Sequence, residues 1–339
     1  MNKTRQILSI VIFILSVPLI IAQDPSLPDG VAVRKIWSND GHNAFTSLIW
    51  FRGSFYCAFR EGENHVYGRD GVARIISSKD GMKWEPVAII KKEGYDLRDP
   101  KLSVTPDGRI MVITGGSVYR EKELLSQLTH VSFSDRSGRN FSDPVPVVIP
   151  DEIRTDRDWL WRVTWHRRTG YGVVYQSREE RTISLVKTDD GINYELVTKL
   201  EVDGSPNEST VRVMPDKEMI IVVRREEGNR EGMWGRSKAP YAGWEWRSLG
   251  MRLGGPDFIA LKGDRLVLGT RVYGEKGNVT ALYAGDRSGN FRKVLTLSSG
   301  GDNSYPGFVY RKNKLYVSYY SSHEGKTSIY FAEIPAGLF

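Results

Sequence analysis

The chain has 339 residues, 40% of them apolar and 11% aromatic, which is ample for one large or two ordinary cores and excludes a disordered or fibrous chain. Its net charge of +7 comes from basic and acidic residues that are interspersed rather than run together. That argues against a nucleic-acid partner and fits a pocket lined with cations. The single cysteine, Cys57 in SFYCAF, leaves no disulfide framework and reads as a buried free thiol.

Lys3 and Arg5 precede the apolar run Ile7 to Ile21, and Ala22-Gln23 offers a small-residue cut. The run is shorter than the roughly 20 residues that span a bilayer, so residues 1–22 are expected to be a cleaved signal peptide. The mature chain, 23–339, is then a single secreted or periplasmic domain with no integral membrane segment, and a monomer is expected.

Strand-like segments follow one another in groups, and a turn recurs among them. SSKDGMKW at Ser77 to Trp84 is echoed by KTDDGINY at Lys187 to Tyr194, with weaker copies at Ser134 to Phe141, Gly285 to Phe291 and Ser237 to Trp246. An Asp-Gly pair between alternating apolar runs is a hairpin signal, and recurrence at about 50 residues is the period of propeller blades. Each turn joins a third strand to a fourth, with the aromatic residue serving as a structural staple. The sixth group (GFVYRK, KLYVSYY, TSIYFAEI) lacks an outer strand, which Val31 to Trp37 can supply. The expectation is an all-β, six-bladed β-propeller closed by an N-terminal strand, with a helix at most around Glu121 to Leu128.

Innermost strands of such a ring begin at a common mouth, and their starts are polar: HNAF from His42, LRDP from Leu97, WLWR from Trp159, PNES from Pro206, GGPD from Gly254 and GDNSYPG from Gly301. Second strands add Arg60, Glu61 and His65 (FREGENH), Arg224 (VVRREE) and Arg271 (LGTRVYG). A guanidinium pairs with a carboxylate through two parallel bonds, so Arg60, Arg224 and Arg271 aimed at one pocket suit an acidic sugar. Arginines that pair with acids between blades would look the same in sequence.

The degenerate Asp-box turns, the six groups and the placement of Arg, Glu and Tyr resemble the sialidase superfamily over nearly the whole mature chain. That resemblance implies three arginines for a sialate carboxylate, an Asp acid/base and a Tyr nucleophile assisted by Glu. Residue by residue it implies Tyr305 (NSYPG) as nucleophile, Glu208 (PNEST) as its activator, Arg224 and Arg271 as carboxylate-binding arginines and Glu324 (HEG) as the acid that orients an arginine. It further implies Asp99 (RDPK) as the pocket aspartate and Arg60 as a pocket arginine. A neutral phenol approaches an anomeric carbon that bears a carboxylate without charge repulsion, and it needs a base because free Tyr titrates near about 10.

The sequence departs from that family at NAFTSL, where an arginine is expected, and Arg98 or Arg162 could supply the missing limb. In EGENHVYGRDG both His65 and Asp70 are candidates for the acid/base, and His42 stands nearby. Three functions follow: an exo-glycosidase of sialidase type acting on an acidic oligosaccharide, a uronate-directed hydrolase or lyase using His65, or a carbohydrate-binding propeller in which Trp159, Trp161 and Tyr305 stack on sugars. None needs a metal or cofactor, since the His and Asp spacings match no zinc or calcium motif. Asn140, Asn207 and Asn278 open formal glycosylation triplets.

Overall fold

The computed structural model describes residues 27–177 and 181–339; the signal-peptide expectation for residues 1–22 lies outside them. Twenty-four strands and one short 3-10 turn, Ala336–Leu338, account for the regular structure, and no α-helix occurs among the described residues.

In chain order, β1 (Ala32–Trp37) precedes a four-stranded antiparallel sheet of β2 (His42–Phe51), β3 (Ser54–Gly62), β4 (Val72–Ser78) and β5 (Glu85–Ile90). Next come β6 (Asp96–Val104), β7 (Ile110–Arg120), β8 (Glu123–Phe133) and the two-residue β9 (Val145–Pro146). Then follow β10 (Arg157–His166), β11 (Thr169–Gln176), β12 (Ile183–Thr188) and β13 (Glu195–Leu200). These last two groups merge into one eight-stranded sheet through a short parallel contact, Arg157 with Gln127 and Asp158 with Leu128, between β10 and β8.

Two further four-stranded sheets comprise β14 (Pro206–Val213), β15 (Met219–Arg225), β16 (Glu231–Ser237) and β17 (Glu245–Arg252), then β18 (Asp257–Ala260), β19 (Leu266–Val272), β20 (Val279–Gly285) and β21 (Phe291–Thr296). The last group, β22 (Asn303–Arg311), β23 (Lys314–Ser321) and β24 (Ser328–Pro335), takes β1 as its fourth strand, with Val33 opposite Ala332. The first and last strands of the described chain thus share one sheet.

The first strands of the groups touch in a cycle: β2 with β6, β6 with β10, β10 with β14, β14 with β18, β18 with β22 and β22 with β2. Apolar side chains fill the spaces between sheets; one cluster joins Phe55, Cys57 and Ile76 to Tyr316 and Phe331. The Asp-Gly turns seal these spaces. Gly81, at φ +77°, lies so close to Phe331 that a Cβ would stand 2.8 Å from its ring. Gly191 abuts Met111 and Phe133 in the same way, and Gly289 abuts Trp234. Only glycine tolerates both the positive φ and the contact.

One expectation is corrected. Glu121 to Leu128 is not helical: residues from Glu123 onward belong to β8, whose backbone pairs with β7 along its length with one register shift at Val118/Tyr119, so cross-strand pairing overrides the local pattern. The fourth strand of the β6–β8 group is only the two-residue β9, because three prolines in the seven residues Pro144 to Pro150 remove ladder donors.

Candidate active site

Five of the cyclically arranged first strands carry a register shift near their start: Ala44/Ser47, Arg98/Lys101, Leu160/Val163, Pro206/Ser209 and Ser304/Gly307. An inserted residue bends the strand and re-aims its side chains. Phe45 (φ 64°), Asp99 (φ 49°) and Tyr305 (φ 53°) occupy left-handed backbone at three of these bulges. Such conformations cost on the order of 1–3 kcal/mol each and cluster at functional sites. All three converge on one place, with the Phe45 and Tyr305 ring centroids 5.0 Å apart.

At its centre the Tyr305 hydroxyl donates to Glu208 Oε1 at 2.5 Å, while Arg224 Nη1 donates to Glu208 Oε2 at 2.6 Å and lies 3.2 Å from the Tyr305 oxygen. The Gly255 amide completes the carboxylate's shell at 2.9 Å. A Cβ on Gly255 would sit 2.4 Å from the Tyr305 ring, so a glycine is required there. Burial resists ionisation of Glu208, yet Arg224, the phenol and the amide together hold its carboxyl below the usual carboxylate range. Burial and the Glu208 charge hold the Tyr305 phenol well above its usual value. The pair is therefore a neutral phenol hydrogen-bonded to an ionised carboxylate.

Beside it lies a second cluster centred on Asp302. His42 Nε2 and His65 Nδ1 donate to Asp302 Oδ2 at 2.8 and 2.6 Å, and Tyr320 OH and Arg271 Nη2 donate to Oδ1 at 2.8 and 3.3 Å. Against burial, the donors from His42 and His65 hold the Asp302 carboxyl far below the usual range. Phe45 joins the clusters, its centroid 5.1 Å from that of His65. The His65 ring is 46% exposed, held by one nitrogen and open to solvent.

His42, His65 and Asp302 bring three potential metal-ligating atoms within 4.8 Å of one another. The His42 Nδ1 atom, however, is buried without a partner, whereas a ligating histidine donates its second N–H to an acceptor. The donor set fits shared protons on Asp302 better than a metal.

Asp99 lies between the clusters, near Lys101, Arg98, Glu208 and His65; burial pushes its carboxyl up to about 6. Lys101 is buried with its ammonium 4.6 Å from the Trp161 ring and 5.6 Å from that of Tyr305, and burial lowers it to about 8.

Of the residues singled out in the sequence, Tyr305, Glu208 and Arg224 are in direct contact, and Arg271 and His65 meet on Asp302. Arg98 and Asp99 line the same region, the Arg98 guanidinium 5.4 Å from the Phe45 ring. Arg162 pairs with Asp257 at 3.3 Å, and burial lowers its pKa to about 10.

The others pair away from Tyr305, Glu208 and Asp302, although Arg60 shares Asp96 with Arg98, which lies 3.7 Å from it. Arg60 is fully buried, bound to Asp96 at 2.7 and 3.0 Å and to the Asn64 carbonyl. Glu61 binds Arg74 at 2.5 Å, and Arg74 lies over Trp37. Asp70 is exposed, its carboxyl raised by partial burial and by the nearby Asp96 charge. Glu324 pairs with Lys35 on the outer strand β1, and Asp302 is the acid that holds Arg271.

Asp302, Tyr320, Phe45 and Glu226, which binds Arg224, were missed as site residues in the sequence. For Asp302 the available signal was its position three residues before Tyr305 in a strand start already marked as polar.

No family model matches the chain, and no curated protein matches it in sequence. Solved structures do match in fold. A protein of unknown function from Dyadobacter fermentans superposes with a TM-score of 0.79 at 20% identity, over 91% of this chain and 100% of its own. Trypanosoma rangeli sialidase gives 0.76 at 13% identity over 92% of this chain, which spans only 60% of the sialidase's length. An α-L-arabinofuranosidase from Fusarium graminearum gives 0.67 at 14% identity, over 90% of this chain and 99% of its own. At these identities the likeness is one of fold: a propeller fold that glycoside hydrolases use.

Proposed function

We propose that this chain is an exported, monomeric exo-glycosidase on a six-bladed β-propeller, with Tyr305 as nucleophile, Glu208 as the base that activates it and His65 as general acid and base. The observation that carries the reading is the Tyr305–Glu208 hydrogen bond of 2.5 Å with Arg224 on the same carboxylate. The cycle of first-strand contacts and the fit of β1 beside β24 support the blade count and closure.

In the first step the Tyr305 oxygen forms a bond to the anomeric carbon as its proton passes to Glu208. The bond to the leaving oxygen breaks, and that oxygen takes a proton from His65. In the second step a water gives its proton to His65 and attacks the same carbon, and the released phenolate recovers its proton from Glu208. Arg224 sits beside both Glu208 and the Tyr305 oxygen, where negative charge develops. Asp302 fixes the His65 ring through Nδ1, leaving Nε2 for the substrate.

His65, half-exposed and held by Asp302, also favours a second reading in which it does the chemistry at a uronate without covalent help from Tyr305. Steady-state assays of Tyr305→Phe and His65→Ala on a panel of aryl glycosides and oligosaccharides separate the two. Under the proposal both variants lose turnover. Retention of activity by Tyr305→Phe would refute it in favour of the second reading.

A further inference from the structure

The expectation of an acidic sugar rests on arginines free to bind its carboxylate. At the mouth each of them already faces an acid of the protein. Arg224 already holds two acids, Glu208 and Glu226. Arg271 spends Nε and Nη2 on the Asn303 carbonyl at 2.9 and 2.6 Å, and Nη2 also on Tyr320 OH at 2.8 Å and Asp302 Oδ1 at 3.3 Å. Arg98 is the most loosely paired, 3.7 Å from Asp96 and 3.9 Å from Asp99, with its Nη1 buried without a hydrogen-bond partner and its guanidinium over Phe45.

Asp302 is itself what a bound substrate carboxylate would be: an ionised group, 28% exposed, ringed by a guanidinium, a phenol and two imidazoles. Each of its oxygens accepts two donors, so its lone pairs are filled by the protein alone. A second carboxylate arriving at Arg271 would meet this anion at close range in a partly buried setting, where like charges are screened less than in bulk water.

We infer that the mouth is built for a neutral glycoside, with Asp302 standing permanently in the place a substrate carboxylate would take. The inference rests on the glycosidase reading above and narrows its substrate class. Asp302 is the specificity-determining residue: its charge faces Arg271, contacting Nη2 at 3.3 Å, and it holds both histidines by one nitrogen each.

Calorimetric titration tests this directly, with N-acetylneuraminic acid and D-glucuronic acid as acidic probes and D-galactose and L-arabinose as neutral ones. The parent is expected to bind at least one neutral sugar at least about tenfold more tightly than either acid. Asp302→Asn, which keeps the shape and removes the charge, is expected to shift that ratio toward the acids by about tenfold or more. An acid bound most tightly by the parent overturns the inference, as does a ratio unmoved in Asp302→Asn. If that variant does not fold, as judged by its melting curve, Asp302→Ser takes its place, and the parent's ranking decides alone if both fail. Failure of the glycosidase reading is distinguishable: a Tyr305→Phe variant that turns over like the parent defeats the nucleophile assignment but leaves the sugar ranking intact. A parent that binds none of the four sugars overturns the inference, while the turnover assays still decide the glycosidase reading.

Discussion

Two kinds of aspartate divide this molecule. Asp190, in an outer turn, accepts from the amides of Ile192 and Asn193 at 2.7 and 2.8 Å and from Thr188 and Asn193 side chains, all within three residues. Asp80 repeats the pattern with Met82, Lys83 and Ser78. Asp302, at the inner mouth, takes its donors from residues 18 to 260 positions away. Both kinds are held ionised, the first by its own turn and the second by donors brought from distant strands. Local chemistry repeats and is replaceable; the assembled site exists once and depends on every sheet being in place.

Substitutions should therefore separate the two regions. The largest expected effect is Tyr305→Phe, which removes the proposed attacking oxygen and should lower kcat by about 10³-fold or more, with the melting temperature little changed. Glu208→Gln should cost a comparable factor and leave Arg224 with one acid fewer. His65→Ala should lower kcat by roughly 10²–10⁴-fold, and its loss should be recovered in part with substrates whose leaving group needs no proton.

A smaller effect is expected in stability against pH. The Asp99 carboxyl is raised by burial to about 6 in the folded chain, so folding favours its protonated form. Its stabilising contribution is then whole below about pH 4 and falls as pH rises to about 6, by on the order of 1–3 kcal/mol. Urea melts across that window should show the decline in the parent and a flatter profile in Asp99→Asn. The smallest effect belongs to the outer turns: Asp190→Ala should cost about 1 kcal/mol through lost hydrogen bonds and leave kcat unchanged. A large loss of activity there would erase the distinction between the regions.

This division also explains what could be read in the sequence. The turns, the strand groups and the strand supplied by Val31 to Trp37 were legible because Asp-Gly pairs, alternation and β-branched residues act over a few positions. The pairing of β1 with β24 puts that segment where the pattern asked for it. Tyr305, Glu208 and Arg224 were found through a resemblance to a family rather than from spacing, and the structure brings them together. Which arginines already had acids could not be read. Arg60 with Asp96 is 36 positions apart and Arg271 with Asp302 is 31, so nothing local distinguishes a paired guanidinium from a free one. The bulges that turn Phe45, Asp99 and Tyr305 inward were equally silent, since none carries the glycine that usually marks left-handed backbone.

The central claim is that Tyr305 attacks the sugar. The most direct measurement incubates the protein with a slow-reacting fluorinated derivative of whichever glycoside it cleaves fastest, followed by peptide mass spectrometry. The account predicts a glycosyl adduct on the tryptic peptide that carries Tyr305, absent in Tyr305→Phe. An adduct on Glu208, or turnover with no adduct on either residue, would contradict it.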